Sequence, residues 1–187
     1  YVDLQPLFDR MKERGVRVAL DTSGEPLQYW ARQGAAAVMK PNAEELASAV
    51  GRTLNTIGDV IDAARELCAH GVQCVLASLG ADGMIAVTKQ DAWAARTAPV
   101  KVINTVGAGD ATLAGFLSAV HDHRAENSSF EVGFDVPHGI QTAVQWGAIA
   151  VMQPTSGLSS IENLPAAILN TTPDRTASLE EPAVFNG

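Results

Sequence analysis

The run Asn104-Thr105-Val106-Gly107-Ala108-Gly109-Asp110, continuing into Ala111-Thr112-Leu113-Ala114-Gly115-Phe116, sets the architecture expected of the whole chain. The apolar residues 100–103 before it predict a short strand. The two glycines predict a turn, and the 3.6-residue apolar spacing over 107–120 predicts a helix. Such a helix start collects backbone amides where the helix dipole favours negative charge. The amides of Gly107, Ala108 and Gly109 are expected to lie free there, beside the Asp110 carboxylate. That carboxylate disfavours simple phosphate storage but suits removal of a proton from a hydroxyl attacking a phosphate. The short piece Gly107-Ala108-Gly109-Asp110 also fits an ordinary turn with an aspartate cap.

The rest of the chain alternates in the same way. Helices are expected over 2–14, 26–33, 42–50, 58–70, 107–120 and 140–151, with a last one near 161–169. Strands are expected over 16–20, 36–39, 74–77, 84–88, 93–95 and 100–103. Strands alternating with helices imply an α/β fold with a doubly wound, mostly parallel sheet and helices on both faces. Ligands then belong at the carboxyl ends of the strands. Residues 1–170 read as one domain portion, 123–138 as a surface loop and 171–187 as a loose acidic tail.

The chain has 187 residues, enough for a domain with a sizeable core. Its 13 Lys and Arg against 21 Asp and Glu give a net charge of −8, which disfavours nucleic acid and anionic membranes as partners. No apolar run approaches the roughly 18 residues of a membrane span. Gly-x-x-x-x-Gly-Lys-[Ser/Thr] does not occur, which excludes a P-loop ATPase, and no Gly-x-Gly-x-x-Gly follows a strand. Cys68 and Cys74 read as buried free thiols of a reducing cytosol, since further metal or redox ligands are wanting. His70, His121, His123 and His138 show no metal-ligand spacing and read as surface residues.

Three more segments bear on chemistry. In Lys40-Pro41-Asn42-Ala43-Glu44-Glu45, a strand ends and a helix begins; Asn42 suits an N-cap and Glu45 its capping-box partner. Lys40 on local grounds is a solvated lysine at a strand end. Ser78-Leu79-Gly80-Ala81-Asp82-Gly83 joins two apolar runs as a hairpin would, Asp-Gly being a strong hairpin signal. Asp21-Thr22-Ser23-Gly24 follows a strand and reads locally as a turn and cap.

Together these motifs resemble the PfkB, or ribokinase-like, family of carbohydrate kinases. The string from Asn104 to Phe116 is similar to that family's second signature at every position. Asn42-x-x-Glu45 resembles its Asn-x-x-Glu motif, which helps organise Mg²⁺ and nucleotide phosphates, the glutamate acting through metal-bound water. Lys40 matches a lysine that approaches the ATP phosphates in sugar-phosphate members. The loop formed by Ser78, Leu79, Gly80, Ala81, Asp82 and Gly83 matches one that passes beside the nucleotide, its glycines allowing close approach. Residues 141–151, with Trp146 and Gly147, resemble the late helix that closes over adenine, although a plain core helix is the weightier reading of them. Asp21-Thr22-Ser23-Gly24 is similar to the sequence found in the 1-phosphofructokinase and tagatose-6-phosphate kinase branches. Asn104 stands where many ribokinases carry Asp near a monovalent-cation site, and an amide supplies less charge for K⁺.

The resemblance implies a ribokinase-like fold and an ATP- and Mg²⁺-dependent kinase acting on a small phosphorylated sugar in the cytoplasm. Asp110 would be the base, and Gly107, Ala108 and Gly109 the anion hole, with Gly109 also at the nucleotide. The helical pattern begins at once from Tyr1, and the family's N-terminal signature and lid have no counterpart. The chain is therefore expected to be a C-terminal portion of such a kinase. The family often dimerises through the lid, which suggests a homodimer for the full-length enzyme. A nucleotide-binding remnant without activity is the competing expectation.

Overall fold

A computed structural model describes residues 4–122, 135–156, 158 and 160–185 of the chain. Two compact units are present, one of Tyr1–Ala77, Val87–Asp91 and Arg175–Gly187, the other of Ser78–Ala86 and Ala92–Asp174. Both mix helix and strand, as the α/β pattern requires.

The first unit runs through α1 (Gln5–Glu13), β1 (Ala19–Leu20), α2 (Gly24–Gln33), β2 (Val38–Met39), α3 (Ala43–Val50), β3 (Leu54–Thr56), α4 (Ile57–Ala69) and β4 (Cys74–Ser78). β1, β2 and β4 are parallel: Leu20 lies beside Met39, and Met39 beside Val75. The inner strands are apolar and fully buried through Val38, Met39, Val75 and Leu76, as expected of parallel strands. Each such side chain removed from water contributes roughly 1.5–3 kcal/mol. α4 buries Val60, Ile61, Ala64, Leu67 and Cys68, the face its spacing predicts. β1 is shorter than the expected 16–20 and only half buried. It has β2 on one side and stands at the end of its ladder, so Val16 remains 51 % exposed.

The second unit contains most of β5 (Met84–Val87), then β6 (Ala92–Thr97), α5 (Ala108–Asp122), α6 (Val136–Val151) and β7 (Ala167–Asn170). α5 and α6 pack along each other at glycines. A Cβ on Gly115 would lie 2.9 Å from the Thr142 carbonyl oxygen and 3.0 Å from Trp146 Cγ. α6 starts earlier than expected, because Asp135 accepts from the His138 N–H as an N-cap and Pro137 suits the first turn. The surface loop expected over 123–138 lies outside the described residues up to 134.

Three expectations are corrected. Residues 100–103 form no strand: the N–H groups of Ile103 and Asn104 donate to the Val151 carbonyl at the end of α6, at 2.7 and 3.1 Å. With those donors committed to a helix end, Val102 and Ile103 project outward, 59 % and 56 % exposed. Residues 161–169 form no helix; Asn163 takes a left-handed φ of 56°, and Pro165 lacks an N–H. The segment instead supplies β7, antiparallel to β6 with Ala95 opposite Leu169.

The third correction concerns 171–187. Through 185 this is not a loose tail, because β8 (Ser178–Ala183) pairs antiparallel with β3. Leu179 and Ala183 are buried, and Arg175 bonds Asp62 at 2.7 Å while its carbonyl accepts from the Gly58 N–H. Residues 186 and 187 lie outside the described residues.

Candidate active site

In the first unit, the residues singled out by sequence gather at the carboxyl ends of β1 and β2. Because Leu20 and Met39 are register partners, the next residues, Asp21 and Lys40, emerge side by side. The Lys40 N–H donates to the Leu20 carbonyl at 3.2 Å, extending the ladder one step. Lys40 Nζ lies 3.1 Å from Asp21 Oδ2, and the lysine side chain is 7 % exposed. The solvated strand-end lysine expected on local grounds is therefore overturned. Lysine is rarely buried without a partner, and Asp21 supplies one.

Two residues further on, Asn42 caps α3. Asn42 Oδ1 accepts from the Glu45 N–H and Glu45 Oε2 from the Asn42 N–H, each at 2.8 Å. This capping box satisfies two donors left over at the helix start. It also engages one carboxylate oxygen of Glu45 and leaves the other. Among the described residues, no three His, Cys, Asp or Glu side chains are grouped to hold a metal directly. The donor set thus fits a water-mediated contact to Mg²⁺ rather than a cage.

In the second unit, the turn before α5 is built by local bonds. Asn104 Oδ1 accepts from the Val106 N–H at 3.0 Å, and the Thr105 carbonyl accepts from the Ala108 N–H at 3.2 Å. Gly107 holds a φ of 82°, a left-handed conformation costly for other residues. The expectation of three free amides is corrected for Ala108, whose N–H closes this turn. Among the described residues, those of Gly107 and Gly109 have no backbone acceptor. Asp110 stands exposed in the first turn of α5. Behind it, Thr112 is buried, and its hydroxyl donates to the Ala108 carbonyl at 2.7 Å.

The loop from Ser78 to Gly83 closes through a single turn of 3₁₀ helix, Gly80–Asp82, with the Leu79 N–H donating to the Gly83 carbonyl at 2.9 Å. Gly83 has a φ of 90°, and a Cβ there would come within 2.8 Å of Arg96 Cβ. Gly80 and Ala81 are exposed, while Leu79 and Asp82 are half-buried. In α6, Gly147 admits the Thr112 hydroxyl and Trp146 covers Gly115, so this helix is core on its α5 side.

Cys68 and Cys74 are buried free thiols, as expected. Burial pushes the Cys68 thiol up to about 11, and it raises Cys74 as well. His70 and His138 are exposed; His123 lies outside the described residues. Sequence singled out Asp21 only within Asp21-Thr22-Ser23-Gly24, locally a turn and cap, and did not foresee its ion pair with Lys40. Two parallel strands, each ending on a charged residue of opposite sign, were the available signal.

The pfkB family carbohydrate kinase pattern matches residues 3–163, and the chain belongs to that family. It is 43 % identical over 131 residues to the 1-phosphofructokinase of Haloferax volcanii, covering 67 % of this chain and 41 % of the relative. With the 1-phosphofructokinase of Escherichia coli strain K12 the identity is 31 % over 157 residues, 84 % of this chain and 47 % of the relative. The chain thus spans somewhat less than half of these curated relatives. Among solved structures, phosphofructokinase-2 of Escherichia coli in complex with potassium superposes with a TM-score of 0.70 at 30 % identity, over 85 % of this chain and 48 % of that one. These relationships make the fold ribokinase-like and mostly parallel α/β.

Proposed function

We propose that this chain is the C-terminal, nucleotide-binding portion of an ATP-dependent phosphohexose kinase that converts fructose 1-phosphate and ATP into fructose 1,6-bisphosphate and ADP. The observation that carries this reading is Asp110, an exposed carboxylate in the first turn of α5 beside the uncommitted amides of Gly107 and Gly109. Asp110 takes the proton of the attacking sugar hydroxyl. The two amides face the charge that grows on the transferring phosphoryl oxygens, with the helix dipole behind them. Asp110 also repels other anions, so the site favours a hydroxyl over a second phosphate at that point.

Lys40 brings a cation to the nucleotide phosphates, and the exposed backbone at Gly80 and Ala81 gives the nucleotide a close surface. Mg²⁺, when bound, would neutralise phosphate charge; Asn42 and Glu45 would hold it through water, Glu45 by the carboxylate oxygen outside the capping box. Asn104 Oδ1 accepts from the Val106 N–H, and an amide at that position supplies less charge to K⁺ than a carboxylate would. Buried free thiols suit a reducing, cytoplasmic setting.

The choice of fructose 1-phosphate rests on the names of the relatives and on Asp21-Thr22-Ser23-Gly24. Tagatose 6-phosphate or fructose 6-phosphate is the alternative substrate within the class. A nucleotide-binding remnant without turnover is the competing reading, and the presence or absence of turnover separates the two. The test is ADP release from Mg-ATP with each of the three sugars and with none. Turnover with fructose 1-phosphate supports the proposal, turnover with another sugar reassigns the substrate, and silence from folded protein favours the remnant. Asp110→Asn in a full-length version should abolish turnover while Mg-ATP binding stays nearly unchanged.

A further inference from the structure

The pair at the ends of β1 and β2 is unusual in how little surrounds it. The Lys40 side chain is 7 % exposed, and among the described residues Asp21 Oδ2 at 3.1 Å is the one polar partner of Nζ. An ammonium carries three N–H donors, so this contact leaves two unspent. Asp21 is the more open half, with a side chain 31 % exposed. The local explanation for Asp21, a cap for α2, does not hold: Ser23 is the N-cap residue and no side chain caps that helix start. The register of β1 with β2 then accounts for the spacing, because it sets the two side chains next to each other whatever the intervening helix does.

We propose that Asp21 is the positioning residue for Lys40: it holds the ammonium at the carboxyl end of β2 so that the two unspent donors take oxygens of an incoming polyphosphate. The phosphate half of this statement rests on the kinase reading, while the positioning half does not. With Asp21 in place the cation waits in one orientation, and less ordering is needed when the anion arrives. Without it, a buried ammonium keeps no partner, and the flexible four-carbon stem carries it toward solvent.

Trace acylation of amines in the 187-residue chain, quantified by mass spectrometry, tests both halves without relying on turnover. Exposed Lys12 and Lys101 serve as internal references. Lys40 should react slowest in the wild type, and Asp21→Asn should raise its rate about tenfold relative to those references. Asp21→Glu, which restores the carboxylate, should bring the rate back down. An unchanged Lys40 rate in Asp21→Asn, with helix content and melting retained, overturns the positioning role. If Asp21→Asn fails to fold, the Glu variant decides: fast labelling of Lys40 in folded Asp21→Glu overturns the role, and slow labelling supports it. Inorganic tripolyphosphate should protect Lys40 severalfold in the wild type; no protection overturns the phosphate half. Protection by tripolyphosphate with no sugar-dependent ADP release would sink the kinase reading and leave the positioning role standing.

Discussion

Gly139 of α6 lies directly against the ring of Phe116 in α5: a Cβ there would sit 2.7 Å from Phe116 Cε2 and 2.9 Å from Val120 Cγ1. Phe116 is fully buried, so its ring has nowhere to retreat. Gly139→Ala should therefore destabilise the chain by about 1–3 kcal/mol, the usual cost of overpacking, despite alanine's better helix propensity. Urea denaturation reads this directly. An unchanged midpoint would mean that the helices move apart more easily than their close approach implies.

The thiols should be silent in the folded protein. Burial pushes Cys68 up to about 11, and Cys74 is raised too. Little thiolate is then present at pH 8, and a thiol reagent should react only as the chain unfolds. The linked effect on stability has a definite sign. The folded Cys68 keeps its proton up to about 11, whereas the unfolded thiol starts from its ordinary value of 9.0. The unfolded state binds fewer protons in that window, so stability falls as pH rises through it. Alkaline melts of Cys68→Ser should lack part of that decline.

At the acid end, Asp59 should contribute the opposite dependence. Its Oδ2 accepts from the N–H groups of Asn55 and Thr56, at 2.9 and 3.0 Å, and Thr56 Oγ1 accepts from the Asp59 N–H in return. The Asn55 hydrogen bond is the main cause of a carboxyl pKa held below its ordinary value of 3.8. A depressed folded pKa gives stability present above the unfolded value and lost as pH falls through the folded one. Asp59→Asn should flatten the acid limb of a stability profile. Thr56→Ala should cost about 1 kcal/mol at neutral pH as a lost cap.

β8 should matter to stability out of proportion to its place in the chain. Leu179 is 6 % exposed in a strand paired with β3. Leu179→Ala should cost about 2–3 kcal/mol by the loss of buried methyl groups and the cavity left behind. Val184, 54 % exposed, gives the control, and Val184→Ala should change stability by less than about 0.5 kcal/mol. Equal effects from both would argue that β8 is not held against β3.

What could be read from sequence was mostly what is decided locally. The caps of α3 and α4 depend on residues three apart, so Asn42 with Glu45 was legible before any fold was known. The strands β2 and β4 announce themselves as short apolar runs closed by turns. Where the reading failed, a distant partner decided. Residues 100–103 look like a strand, but their donors meet Val151 at the end of α6. Residues 161–169 have the composition of a helix, yet β6 offers them a ladder that Asn163 and Pro165 make preferable. The Asp21–Lys40 pair was signalled only by two strand ends of opposite charge; that they meet depends on the register of β1 with β2.

The pairing of β3 with β8 has a consequence for how the molecule is made. Thr56 leaves the ribosome well before its partner Ser178, which emerges only after the whole second unit has been translated. The first unit is completed by Arg175–Gly187 and must therefore wait, with the edge at Leu54 unmatched, while synthesis proceeds at about 5–20 residues per second. The second unit is continuous over Ala92–Asp174 and can close during that interval. Of the two units, vectorial synthesis thus makes the earlier-translated one the later to finish, and its open strand edge is where a nascent chain would need shielding.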